Sequence, residues 1–194
     1  MKIGFYGGTF DPIHFGHVFL AVQLKEAWNL DQIWLCPAQQ NPFKEKGGGA
    51  AIEHRLAMAR LAVKHCPFIK VIEHEARREG LSYTVETLEL LKKEYPQHQF
   101  ALLLGEDSLI SFEDWENAEE IARTTPIYSG SRVVDIPPQF KNELIKKAIE
   151  EGWTPLPRFD ISATLVRKRL ARKEYCGHLL TQEVLDYISE FNLY

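Results

Sequence analysis

Cysteine is scarce in this sequence. The three present, Cys36, Cys66 and Cys176, are far apart and form no CxxC pair. That excludes both a zinc knuckle and a disulfide framework, and reduced, buried thiols are expected. Positive charge is not in excess either. Lys and Arg number 23 against 27 Asp and Glu, for a net charge of −4 and a pI of about 6.0. Non-specific nucleic-acid binding rests on a basic field and is therefore excluded, whereas a nucleotide ligand needs only a few placed donors. Long apolar runs are missing: no stretch approaches the roughly 20 apolar residues of a membrane helix. The N-terminus enters a strand pattern at once, without the apolar region of a signal peptide. No membrane association and a place in the cytosol are the expectation. Internal repeats, low-complexity tracts and a heptad seam are also absent, and the oligomeric state stays open.

What is present is ordinary for a globular chain, with 45% hydrophobic and 26% charged residues. A single domain over 1–194 is expected, with a C-terminal helical part at about 160–194. Short apolar runs alternate with helical periodicity. Strands are predicted at Lys2 to Tyr6, Gln32 to Cys36, Ile69 to Ile72, Phe100 to Leu104 and Ile127 to Ser129. Helices are predicted at His17 to Trp28, Ala51 to His65, Thr84 to Glu94, and about 141–151, 162–172 and 181–191. The first should bury Leu20, Leu24 and Ala27; the last, Val184, Leu185, Ile188 and Phe191. Such alternation predicts an α/β fold, a doubly wound, mostly parallel sheet with helices on both faces. Ligands of such sheets sit at the carboxyl ends of the strands. The loops after Tyr6, Cys36, Leu104 and Ser129 are therefore the ones to watch.

The first of these reads GGTFDPIHFGH, Gly7 to His17. Gly7 and Gly8 let backbone N–H groups approach a bulky anion, with Thr9 and Phe10 following. Gly16 and His17 then open a helix, whose first N–H groups and positive dipole end favour a phosphate. His14 and His17, three apart, share a face if the turn begins near His14. Two common phosphate signatures are missing: no Gly-Lys-Ser/Thr follows the glycines, and GxGxxG is absent. A metal site has no third ligand beside the histidines except Asp11, which is expected to brace the turn instead.

His14-Phe15-Gly16-His17 resembles the (H/T)xGH signature of the nucleotidyltransferase superfamily. The resemblance implies a Rossmann-like fold and transfer of a nucleotidyl group with release of pyrophosphate. A second segment, Ile161-Ser162-Ala163-Thr164-Leu165-Val166-Arg167, suits a capped helix start, with Ser162 as N-cap. It is similar to the ISSTxxR motif that closes the ATP site of bacterial nicotinate-nucleotide adenylyltransferases, with Ala163 in place of the second serine. The ending YISEFNLY and the total length resemble that family too.

From this resemblance follow the expected substrates, ATP and nicotinate mononucleotide, with Mg2+ as companion of the triphosphate, in a step of NAD biosynthesis. His14, His17 and Arg167 are the expected catalytic groups. Gly7, Gly8, Thr9, Phe10, Gly105, Asp107, Ser162 and Thr164 are expected around ATP. On the mononucleotide side, Pro42-Phe43-Lys44 stands where the family often shows Pro-His-Lys. Lys44 is then a phosphate donor or a plain surface lysine. Thr84, in Ser82-Tyr83-Thr84, holds the pyridine carboxylate or simply caps its helix. Trp115 stacks on the nicotinate or packs in the core, and Asp107 accepts from ribose hydroxyls or caps the next helix. Two alternatives remain: another small-acceptor nucleotidyltransferase, such as the pantetheine-phosphate enzyme, and a non-catalytic nucleotide-binding protein.

Overall fold

The apolar run FALLL becomes an interior strand. In the computed structural model, which describes residues 1–40, 49–78, 80–130, 137–157 and 159–194, β4 spans Gln99–Leu104 and is buried from Phe100 onward. Burial on both faces is what a continuous apolar strand in a parallel sheet requires. Its partners are β1 (Lys2–Gly8) and β5 (Ile127–Ser129), both parallel to it. With β2 (Gln32–Pro37) and β3 (Ile69–Val71) they form one five-stranded sheet in the order β3-β2-β1-β4-β5. The predicted mostly parallel α/β architecture holds.

The helices are α1 (Phe15–Ala27), α2 (Ile52–Ala62), α3 (Thr84–Glu94), α4 (Glu106–Ile110), α5 (Ala118–Thr124), α6 (Glu143–Glu151), α7 (Ala163–Ala171) and α8 (Gln182–Glu190). Two of them, α4 and α5, and the 3-10 turn Phe112–Asp114 had no counterpart among the predicted elements. Each is two turns or less, too short for a 3.6-residue period to show. Some helix faces also differ from prediction. Ala27 is exposed where α1 ends, and Phe191 lies beyond α8 and is half exposed.

The chain divides into two compact units. The first comprises Met1–Tyr6, Leu20–Trp34 and Tyr83–Phe159. Its centre is apolar: a side chain on Gly4 would place Cβ 2.8–2.9 Å from the methyls of Ile33, Leu30 and Leu103. Trp34 packs edge-on against Tyr95, His98 and Phe100. Helix α6 is capped by Asn142, whose side chain accepts from the N–H groups of Leu144 and Ile145 at 3.0 and 3.2 Å.

The second unit comprises Gly7–Phe19, Leu35–Ser82 and Asp160–Tyr194. Here α2 packs on α8, with His54 Nδ1 hydrogen-bonded to the Tyr187 hydroxyl at 3.0 Å. The main-chain N–H of Phe15 donates to Leu179 at 2.9 Å, which ties the start of α1 to the segment before α8. All three cysteines are free thiols, as expected, but Cys66 is only half-buried.

Candidate functional site

The second unit holds most of the residues singled out from the sequence. Strand β1 runs two residues further than predicted and delivers Gly7 and Gly8 directly into the turn. Gly8 is required because the Phe10 ring folds back over it, leaving 2.9 Å for a Cβ. Phe10 itself adopts φ +49° and is buried. A non-glycine residue held left-handed costs about 1–3 kcal/mol, and survives only where its surroundings over-determine it.

Those surroundings are polar and specific. Asp11 is buried, and its Oδ1 accepts from the Ala50 N–H at 3.0 Å and from the Tyr194 hydroxyl. The expected turn brace is thus in place. Gly49 must be glycine, since a Cβ there would lie 2.2 Å from Asp11 Oδ2. Burial and the Asp11 carboxylate push the Tyr194 hydroxyl far above its usual range, so it stays a donor. Arg55, only 5% exposed, donates Nη1–H to the carbonyls of Thr9 at 2.8 Å and Ala38 at 2.7 Å. Its Nε–H goes to Ala50 at 3.0 Å and its Nη2–H to Gln39 at 3.0 Å. Burial lowers the Arg55 pKa and Asp11 offsets part of that; a guanidinium stays charged regardless.

His14 and His17 meet as the spacing predicts. Their rings stack with centroids 3.7 Å apart and planes 23° from parallel, and Phe10 abuts His17 edge-on at 5.0 Å. The His14 main-chain N–H donates to His17 Nδ1 at 3.2 Å. An amide is only a donor, so His17 Nδ1 is the acceptor and the ring proton sits on Nε2. The Thr9 hydroxyl is buried with no hydrogen-bond partner among the described residues.

The ISATLVR segment joins this loop. Ser162 caps α7 as predicted, its hydroxyl accepting from the Leu165 N–H at 3.2 Å. One turn on, Arg167 Nη2–H reaches Thr164 Oγ1 at 3.3 Å, and Nη1–H donates to the main-chain carbonyl of Asp11 at 2.6 Å. The two motifs, 156 residues apart, therefore meet through a direct bond.

The remaining predicted residues belong to the first unit or lie outside the described residues. Lys44 and Phe43 are among the latter. Thr84 is not a cap. It is the first residue of α3, and the N-cap is Tyr83, with extended backbone and no side-chain cap bond. Asp107 is not a cap either, because α4 starts at Glu106 and its N-cap is Gly105. Local hydrogen-bonding side chains mark a helix start only to within a residue or two. Trp115 is half-buried, tilted 60° against Phe112, with Nε1–H 3.4 Å from Ser111 Oγ. It borders a surface groove of about 700 Å³ with Glu113, Glu119 and Glu120. Ser82 sits in the second unit, where its hydroxyl accepts from Gln39 N–H at 3.1 Å and its own N–H donates to Gln40 at 2.9 Å.

Arg55, Gly49 and Tyr194 were not foreseen. A charged residue between Ile52 and Leu56, on the buried face of α2, was the available signal for Arg55.

Phosphate chemistry on this fold agrees with the comparisons. Residues 5–169 match the Cytidylyltransferase-like family, a class of nucleotidyltransferases. The "Probable nicotinate-nucleotide adenylyltransferase" of Salinibacter ruber is 35% identical, over 100% of this chain and 98% of its own length. The protein of the same name from Flavobacterium johnsoniae is 37% identical, over 100% and 99%. The chain belongs to the nicotinate-nucleotide adenylyltransferase family. The solved Plasmodium falciparum nicotinic acid mononucleotide adenylyltransferase complexed with NaAD superposes with a TM-score of 0.78 at 20% identity, covering 100% of this chain and 97% of that one. At that identity the likeness establishes the fold.

Proposed function

We infer that the chain transfers the adenylyl group of ATP to nicotinate mononucleotide, giving nicotinate adenine dinucleotide and pyrophosphate, a step of NAD biosynthesis. The observation that carries this reading is the Arg167–Asp11 bond, which joins the histidine loop to the α7 start in one unit. The full-length relatives that share this name supply the acceptor.

The acceptor phosphate is already an anion and needs no general base. One of its oxygens attacks the α-phosphorus of ATP in line. The bond from that phosphorus to the bridging oxygen breaks, and pyrophosphate leaves with the electron pair. No covalent enzyme intermediate is needed, so the work is positioning and charge stabilisation. In this reading His17 offers Nε2–H and His14 its ring to the phosphates as charge builds on the leaving group. The N–H groups of Gly8 to Phe10 orient the α-phosphate, with Gly7 beside them, while Ser162, Thr164 and Arg167 line the ATP side. Gly105 and Asp107 contribute to the nucleoside, and Lys44, Thr84 and Trp115 to the mononucleotide. The whole chain, 1–194, works as one nucleotidyltransferase domain in the cytosol.

Mg2+ is the proposed companion of ATP. Among the described residues no group of three or more His, Cys, Asp or Glu is placed to hold a metal ion. The carboxylate of the loop, Asp11, already accepts from Ala50 and Tyr194. The cation is accordingly held by phosphate and water, neutralising charge on the triphosphate. Pyrophosphate release with ATP and a panel of mononucleotides tests the assignment. Turnover of nicotinate mononucleotide well above its amide and above phosphopantetheine is expected. No turnover with any acceptor would replace the reading with nucleotide binding alone.

A further inference from the structure

Arg55 lies outside every motif discussed above, yet it makes four hydrogen bonds, all to main-chain carbonyls. Thr9, Ala38, Gln39 and Ala50 are its acceptors, at 2.7 to 3.0 Å. Their positions matter more than their number. Thr9 is the middle of the Gly8–Phe10 turn, and the others flank β2 and α2.

A peptide unit is planar, and in the trans form its C=O and N–H point to opposite sides. The only cis bond among the described residues is Asp11–Pro12, so the Gly8–Thr9 and Thr9–Phe10 units are trans. Arg55 holds the Thr9 carbonyl, and this turns the Phe10 N–H away from the arginine. The Gly8 carbonyl is held likewise by the Ala38 N–H at 2.9 Å, which turns the Thr9 N–H away from Ala38. Ala38 is itself fixed by Arg55 through its own carbonyl. One buried guanidinium thus sets the direction of two successive amides. It also fixes one of the two peptide units that flank Phe10, whose backbone is left-handed.

A second tie closes the frame. The Ala50 main chain is held on both sides of its Cα, its N–H by Asp11 and its C=O by Arg55. The carboxylate and the guanidinium are therefore coupled through the same residue of backbone.

We propose that Arg55 is a positioning residue for catalysis, aiming the Thr9 and Phe10 amides at the ATP phosphates by holding the Gly8–Phe10 turn through its carbonyls. The proposal rests on the adenylyl-transfer reading. Lysine can keep the charge but not the fork of five donors, so it cannot serve four carbonyls at these places.

The test is Arg55→Lys beside Leu56→Ala, a neighbour on the same buried helix face whose side chain has no donor for these carbonyls. Both full-length proteins are assayed for pyrophosphate release at a temperature where circular dichroism shows each folded, and ATP binding is measured by calorimetry. Arg55→Lys should lose 10- to 100-fold in kcat and about 10-fold in ATP affinity. Leu56→Ala should lose comparable or greater thermal stability and keep kcat within twofold. Equal kcat in Arg55→Lys and wild type overturns the proposal, and so does a proportional loss of kcat in Leu56→Ala. An Arg55→Lys protein that does not fold assigns the residue to folding and also overturns it. If the wild type turns over no acceptor, the functional reading fails on its own. The ATP affinities then decide the role of Arg55, which stands only if the substitution weakens binding.

Discussion

The turn around Asp11 and the strand at Leu103 are both buried, but they are built from different materials. Around Leu103 the chain is held by area. Leu102, Leu103 and Leu104 are at most 2% exposed, and Leu103 converges with Ile33 and Leu30 over Gly4. Around Asp11 the chain is held by direction, through hydrogen bonds from Arg55, Arg167, Tyr194 and main-chain donors to specific acceptors. Burial is non-directional and tolerates small shifts. Hydrogen bonds to charged groups are steep in angle and distance. A region that must hold backbone donors for a phosphate needs the second kind of support, and a sheet that only has to persist can use the first.

Perturbations of the two regions should then separate turnover from stability. The largest effect is expected in the turn. His17→Ala removes a preorganised donor, and loss of one such donor costs about 3–4 kcal/mol of transition-state stabilisation, or 10²–10³ in kcat. Pyrophosphate release should fall by that factor while circular dichroism is unchanged; a near-normal kcat in the folded variant would remove His17 from the mechanism. In the sheet, Leu103→Ala should cost about 2–5 kcal/mol of stability through lost burial and a cavity. Chemical denaturation should show it, with kcat per folded molecule within twofold of wild type.

Tyr194→Phe tests the turn from another direction. Losing a hydrogen bond to a carboxylate should cost about 1.5–3 kcal/mol near neutral pH. The hydroxyl is raised above its ordinary 10.0 in the folded chain, so the unfolded chain deprotonates first. The native state then binds more protons than the unfolded one, and stability falls as pH rises beyond about 10. The wild type should therefore show an alkaline decline that Tyr194→Phe lacks, measured as Tm against pH; identical slopes would mean that the bond contributes nothing. The smallest effect belongs to Asn142→Ala. It removes the α6 cap and should cost about 1 kcal/mol without touching kcat.

The same contrast explains what was readable in advance. Strand β4 was legible because an unbroken apolar run is a local property. Helix α3 was legible because Val85, Leu88 and Leu91 repeat at helical spacing, and its observed bounds, Thr84–Glu94, coincide with the predicted ones. The histidine pair was legible because three residues in a helical turn are neighbours by geometry. Thr84 and Asp107 were placed one or two positions wrong as caps, because a hydroxyl or carboxylate near a helix start does not say which residue turns first. Arg55 was passed over because composition alone cannot tell an interior cation from a surface one.

From the sequence by itself came the alternation of strands and helices, the free thiols, the histidine loop and the cap at Ser162, all set by spacings within a few residues. Tertiary structure alone decided that Arg167 bonds the carbonyl of Asp11, that Tyr194 closes on its carboxylate, and that Arg55 gathers four carbonyls. The physical reason is that periodicity and propensity act along the chain. A hydrogen bond to a distant carbonyl exists only once the fold has brought donor and acceptor within about 3 Å, at an angle no local rule specifies.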